Sequence, residues 1–392
     1  MTDTIHVWPE GKAGEINSVI CSATLELPGG VREKLWYKVP SEWQHALTEK
    51  ADPFLIGTLF SAMAIKADVR VHGDVSASLL ENLEEYQAVW HSWNPDRYQK
   101  VSLFAEHEIE AKQTTSGNAI LSFSGGVDSC FSVYRHVHQL AGRKNRNIQA
   151  GVMVHGFDIP LAQAEAFSRA TVKSGKILND VGIPLIPVST NWRELRHNRR
   201  VNWVDSNATA VVAVTSLFQN DFCYGLIASG DISYKKIPLG SNPLSDPMLS
   251  SADFKVICDG AAFTRVEKVS HIANWEAANQ NLRVCWEGPD LSKNCGVCEK
   301  CIRTILNYRV TGNKLPGCFD KDISDKQILS IPIPSVYIAA NYQAILDYGF
   351  TKGMKNESWM RALEKRLNRV KVDTYKERLS GLGRRMTRLI KS

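Results

Sequence analysis

Two groups of residues in this sequence are typed and spaced for chemistry. The first is Ser124-Gly125-Gly126-Val127-Asp128-Ser129, which follows the apolar run Ile120-Leu121-Ser122-Phe123 and precedes the helix-compatible stretch Cys130-Phe131-Ser132-Val133-Tyr134. Paired glycines let a backbone turn sharply and come close to an anion, and the first amides of the helix that follows lack internal partners and sit at a positive dipole end. The expected cradle for a pyrophosphate group therefore comprises Ser122, Ser124, Gly125, Gly126, Val127, Asp128 and Ser129. In it Asp128 would hold Mg2+, and the hydroxyls of Ser124 and Ser129 would complete the ring of contacts. An ordinary strand-to-helix turn with an Asp/Ser cap is the plainer alternative, but two glycines flanked by serines and an acid exceed what a turn needs. The Gly-Lys-Ser/Thr sequence of the common nucleotide-triphosphatase loop is missing here.

The second group is Cys285, Cys295, Cys298 and Cys301. Four thiolates at this spacing suit a tetrahedral Zn2+, with Gly296 easing the tight knuckle between two ligands. An iron–sulfur cluster and unligated buried thiols are the other readings. Four protein ligands leave a zinc ion no open position, so its role would be structural. The remaining cysteines, Cys21, Cys130, Cys223, Cys258 and Cys318, lie in apolar contexts that suit a core.

The elements around the glycine-rich loop imply where it sits. Apolar strands are expected at 119–123, 150–155, 184–188, 224–228 and 254–258, and helices at 129–140, 161–181 and 206–218. Such alternation predicts an α/β domain, a parallel sheet covered by helices on both faces, whose ligands bind beyond the carboxyl ends of the strands. Before it, strands at 18–27 and 32–39 flank Pro28-Gly29-Gly30 as a hairpin, followed by a helix at 54–64, a strand at 67–72 and a helix capped by Ser76 that ends near Trp93. The expected organisation is a small α+β domain over 1–112, the parallel-sheet domain over 113–284, a zinc-binding segment with the four cysteines over 285–318 and a helical basic tail over 319–392.

With 392 residues, 44% of them hydrophobic, the chain can bury at least one full core. Neither a membrane span nor a signal peptide is indicated, and nine cysteines with four of them clustered suit a reducing compartment, so the cytoplasm is the expected location. The net charge of +6 concentrates near the end, where Arg361–Lys391 holds eleven Lys or Arg against three acids. That tail could grip nucleic acid or an acidic partner, although a solvated helix is the plain reading.

Ser-Gly-Gly-x-Asp-Ser after a strand resembles the signature of the PP-loop ATP pyrophosphatase superfamily (N-type), and its pairing with a distal Cys-Gly-x-Cys-x-x-Cys resembles 7-cyano-7-deazaguanine synthase. Phe157-Asp158, Gly230-Asp231, Val266-Glu267-Lys268-Val269 and Cys285-Trp286 extend the resemblance over roughly 120–304, while Ile159-Pro160-Leu161 and the loop Leu239–Pro247 depart from it. The resemblance implies a ligase that splits ATP into AMP and pyrophosphate to adenylate a carboxylate or amide oxygen, here of a 7-deazaguanine-type acid. Ammonia or a protein amino terminus would then attack, the latter as in anti-phage defence systems. ATP, Mg2+ and Zn2+ are the implied cofactors. Asp128, Ser129, Lys268 and Asp231 would be catalytic, with Lys268 neutralising the phosphates, and His155 and Asp158 would touch adenine and ribose. A protein partner through the first domain and a homodimer are compatible with this reading. Asp246 could reach substrate or serve only its turn, and Arg193, Arg196, Arg199 and Arg200 could form a lid or a solvated face. A tRNA-modifying ligase or thiolase, and a nucleotide-binding scaffold without turnover, are the competing functions.

Overall fold

The computed structural model describes residues 3–109, 117–230, 234 and 239–369. The first part of the chain runs β1 (Thr4–Glu15), β2 (Ser18–Leu27), β3 (Val31–Pro40), α1 (Asp52–Ile65), β4 (Asp68–Ser76), α2 (Ala77–Trp93) and β5 (Leu103–Ile109). The hairpin β2–β3 turns on Gly29 and Gly30, both at positive φ. The sequence pattern did not reveal β1 and β5, whose alternating polar side chains lie half in solvent. Helix α1 is apolar all round and buried from Asp52 to Met63, as befits a helix enclosed between a sheet and other helices.

The second part alternates strictly through α5: β6 (Asn118–Ser122), α3 (Val127–Val137), β7 (Asn147–His155), α4 (Ala164–Asn179), β8 (Leu185–Thr190) and α5 (Trp203–Thr215), then β9 (Tyr224–Ala228) and β10 (Lys255–Asp259). Helices α6 (Arg265–Ile272), α7 (Glu276–Asn281), α8 (Glu299–Val310), α9 (Asp325–Leu329) and α10 (Val336–Thr351) follow, with a further helix over 358–369. All ten strands join in one sheet, ordered β10-β9-β6-β7-β8-β3-β2-β1-β4-β5. The two parts meet where β3 pairs antiparallel with β8 through Tyr37–Thr190 and Lys38–Ser189.

The parallel half is covered on both faces. One face shares a single core with α1, α2 and α5, in which Phe60, Trp90, Ile120, Val188 and Phe218 are all buried. The other packs on α3, α6, α8 and α10, and the helix over 358–369 closes this layer with Trp359, Leu363 and Leu367. The described start of the basic stretch therefore belongs to the core, and residues 370–392 lie outside the described residues. Among the described residues no helix is long and apolar enough to cross a membrane.

Ser76 takes the N-cap position of α2 but does not cap it with its side chain. Its hydroxyl and N–H both donate to the buried carboxylate of Asp52, at 2.7 and 2.8 Å. Satisfying a buried acid outweighs one cap bond, because an unpartnered buried carboxylate costs more than a solvated helix end.

The turn after β7 demands glycine. Gly156 has φ +99°, and a Cβ there would lie 2.0 Å from the carbonyl oxygen of Thr190. Gly156→Ala is expected to destabilise the fold by at least ~2 kcal/mol, from the left-handed backbone plus the displaced β8 end. Urea unfolding checks it, and an unchanged midpoint would refute the close approach.

Candidate functional site

Strand β6 is the point where the sheet order reverses. The chain leaves it toward β7 and β8 on one side and returns to β9 and β10 on the other. In such sheets a crevice opens beyond the carboxyl end of that strand. The Ser124–Ser129 loop fills this position.

Its conformation follows from its glycines and its neighbours. Gly125 has φ +74°, and a Cβ on it would meet Ser174 Oγ at 2.6 Å. Its carbonyl accepts from the backbone N–H of Arg283 at 2.8 Å, so the loop is pinned from the far side of the crevice. Gly126 is the N-cap of α3, and Ser129 Oγ donates to its carbonyl at 3.1 Å. The N-terminal amides of α3 are thereby left to face the crevice, as helix geometry requires of a first turn.

Two adjoining cavities open there. The larger, of about 220 Å³, has Ser122, Ser124, Asp128, Ser129 and Asp158 on its polar side, and Phe123, Val154, Phe157, Ile159 and Trp203 among its apolar walls. The smaller, of about 80 Å³, shares Ser124, Asp128, Asp158 and Arg283 with it and adds Gly126, Val127, Arg265, Trp286 and Lys300. One end of the crevice is thus apolar and the other is ringed by cations.

The charges are closely arranged. Asp128 receives Arg265 on one carboxylate oxygen at 2.5 Å and Lys268 on the other at 3.1 Å. Lys268 is fully buried, and its ammonium also donates to the carbonyls of Ser229 and Gly230 at the end of β9. Arg283 is buried too, with Nε donating to the Leu291 carbonyl at 2.8 Å and Nη1 near the Ser124 carbonyl at 3.5 Å. Its Nη2 is buried with no partner. Burial lowers the proton affinity of this guanidinium, with the Asp158 carboxylate opposing the effect, yet arginine stays charged. For Lys300, which lies over the Trp286 ring, burial pushes the ammonium down to about 8 against the pull of Asp158 and Asp128. A buried, charged donor without an acceptor, beside a glycine cradle, is suited to an anion that supplies the missing oxygen.

The structure brings together most of the residues expected from sequence. Ser122, Ser124, Gly126, Val127, Asp128, Ser129 and Asp158 line the two cavities, Gly125 forms the pinned turn, and Lys268 reaches Asp128. His155 does not line the larger cavity: its Nε2 lies 3.0 Å from the Pro160 carbonyl and its ring stacks on Phe167. Asp231 lies outside the described residues. Asp246 serves its own loop, accepting from Ser241 Oγ at 2.7 Å and the Asn242 N–H at 3.0 Å, while burial pushes its carboxyl up to about 7. Arg193 bonds the Phe157 carbonyl, Arg196 and Arg199 are exposed, and the side chain of Arg200 is outside what is described. Sequence reasoning missed Arg265, Arg283, Lys300 and Trp203. Arg265 carried a signal, since it stands three positions before Lys268 on one helix face. The other three reach the site through folding alone.

The four cysteines converge. Their sulfurs lie within 4.8 Å of one another, with Cys285–Cys298 at 3.7 Å and Cys295–Cys301 at 3.9 Å. Four sulfurs about 2.3 Å from one tetrahedral ion would stand about 3.8 Å apart, so this group can hold a metal such as zinc. Gly296, at φ +73°, makes the knuckle, and backbone N–H groups of Glu287 and Cys298 point at the sulfurs of Cys285 and Cys295. Cys298 is also the N-cap of α8, and Cys285 lines the smaller cavity, so the centre adjoins the cationic end of the crevice.

Because metal binding is part of the folding free energy of such a knuckle, Cys298→Ser is expected to lower both metal content and thermal stability. Elemental analysis of the wild type should give one zinc per chain. Iron, or folded protein without metal, would refute the assignment.

Compared with known families, curated proteins and solved structures, the chain matches no family model, no curated protein and no solved structure.

Proposed function

We propose that this crevice binds ATP and that the protein is an AMP-forming ligase, cleaving ATP between the α and β phosphates to activate an acid. The observation that carries the reading is the Ser-Gly-Gly-x-Asp-Ser loop at the sheet's reversal point, opening on a space that is apolar at one end and cationic at the other. A purine ring suits the walls of Phe157, Ile159 and Trp203. The β and γ phosphates suit the α3 amides, Arg283 Nη2, Arg265 and Lys300. The donor left unpartnered at Arg283 and the cradle that a Cβ on Gly125 would fill are what such a ligand answers.

The proposed reaction begins when an oxygen of the substrate carboxylate attacks the α-phosphorus, forming an acyl adenylate as the α–β bond breaks and pyrophosphate leaves. A nitrogen nucleophile then attacks the acyl carbon and AMP departs. Arg265, Arg283 and Lys300 hold the charge that grows on the pyrophosphate, with Lys268 adding its field from behind Asp128, an electrostatic contribution that acts without reorganisation once the cations are fixed. Mg2+, when bound at Asp128, would neutralise the same charge. Each oxygen of Asp128 already accepts from a cation, so Mg2+ would compete with Arg265 and Lys268 for this carboxylate. Phosphates entering the crevice offer Arg265 the alternative partner. The acid we propose is a 7-deazaguanine carboxylate or a similar ring, with ammonia or a protein amino terminus as nucleophile. Zinc at the four-cysteine centre is proposed as structural.

Incubation with ATP, Mg2+ and a panel of carboxylic acids should yield AMP and pyrophosphate in equal amounts with one acid. Asp128→Asn keeps the side chain's size but leaves the buried Lys268 without its carboxylate, so stability should fall by about 3–5 kcal/mol, and in the protein that remains folded the rate should fall at least ~100-fold. Formation of ADP and phosphate, or a wild-type rate in folded Asp128→Asn protein, would overturn the proposal.

A further inference from the structure

The first part of the chain does more than extend the sheet. Residues 191–202 link β8 to α5, and the first part holds them at point after point. Asn191 donates to the Lys34 carbonyl at 2.7 Å and accepts from the Trp36 N–H at 3.1 Å. The Trp192 indole donates to the Gly57 carbonyl at 2.7 Å, and Ser61 Oγ donates to Asn198 Oδ1 at 2.8 Å. Glu33 of β3 grips the centre of the segment with both carboxylate oxygens. One accepts from the Arg196 N–H at 2.9 Å and the other lies 2.8 Å from His197 Nδ1. The Glu33 side chain is 12% exposed and that of His197 2%, so water competes little for the bond between them.

What this segment delivers is one wall of the larger cavity. It ends at Trp203, the first residue of α5, which lines the cavity 5.2 Å from the Phe157 ring. Within it, Arg193 donates to the Phe157 carbonyl at 2.9 Å and lies over the Trp203 ring at 4.7 Å. Both aromatic walls are therefore set by a segment that β3 and α1 anchor.

We infer that Glu33 is a positioning residue for the apolar, base-holding wall of the nucleotide site, acting through residues 193–203. This rests on the nucleotide reading above. Loss of its carboxylate lets Trp203 and Phe157 shift, which weakens contact with the ring of the ligand and leaves the phosphate end untouched, since that end is built from α3, α6, α8 and Arg283.

Calorimetric titration of the full-length, metal-loaded protein separates the two ends, with AMP as the probe of the base wall and inorganic pyrophosphate as the probe of the cations. Glu33→Ala should raise the Kd for AMP about tenfold, as loss of a buried charge-assisted pair allows, with the Kd for pyrophosphate changed less than about twofold. Glu33→Gln, which still offers an acceptor to the Arg196 N–H, should recover most of the AMP affinity. If Glu33→Ala fails to fold, Asn191→Ala, which releases the same segment from β3, should show the same split. Wild-type AMP binding in the folded variants, or equal weakening of both ligands, would overturn the inference. A wild-type protein that binds neither pyrophosphate nor AMP would overturn the nucleotide reading itself, and the inference with it.

Discussion

A fully buried ammonium group constrains this structure more than any other single feature. Lys268 is sealed from water, and an uncompensated charge there would cost several kcal/mol, on the order of the net stability of a whole domain. It is compensated by Asp128 from the first turn of α3 and by the carbonyls that end β9. The lysine and its partners come from the helix beyond β10, the loop after β6 and the end of the strand between them, so neutralising one lysine fixes the mutual position of the elements that form the crevice. The same carboxylate also holds Arg265. The site is thus assembled around an internal ion cluster.

The cationic end has a second support in the four-cysteine centre. Cys298 starts α8, which carries Lys300 in its first turn, and Cys285 follows Arg283 by two residues. A metal drawing the four sulfurs together would fix the stretch of chain that pins Gly125 and the helix that brings Lys300. The apolar end leans on the other part of the molecule, through β3, Glu33 and the segment before Trp203. The two ends of one crevice therefore depend on two different parts of the fold, joined by a single sheet.

How much of this the sequence carried depended on whether the signal was local. The parallel strands β6, β7 and β9 were legible because each is a short, largely apolar run, as a sheet buried on both faces requires. The glycine-rich loop and the clustered cysteines were legible because their chemistry is contiguous. Strand β1 escaped notice because His6, Trp8 and Glu10 interrupt its buried Ile5 and Val7, the mark of a sheet with one face open to water. The junction of β3 with β8 joins residues about 150 positions apart, and nothing local announces it. Ser76 looked like a helix cap, but Asp52, distant in sequence and adjacent in space, claimed its hydroxyl. His155 ends the expected strand, yet its ring turns to Phe167 because packing decided which side of the chain it faces. Arg283, Lys300 and Trp203 each carry an ordinary local pattern, and only the fold brings them to one crevice.

The central claim is that one crevice reads a nucleotide from base to phosphates in a fixed direction. A crystal structure with Mg2+ and an ATP analogue whose α–β bridge cannot be cleaved tests it most directly. The account predicts the purine against the walls of Phe157, Ile159 and Trp203, the terminal phosphates on the α3 amides and Arg283, and Arg265 swung from Asp128 toward the phosphate oxygens. A nucleotide bound in the opposite direction or elsewhere on the sheet, with the pairing of Asp128 and Arg265 undisturbed, would contradict it.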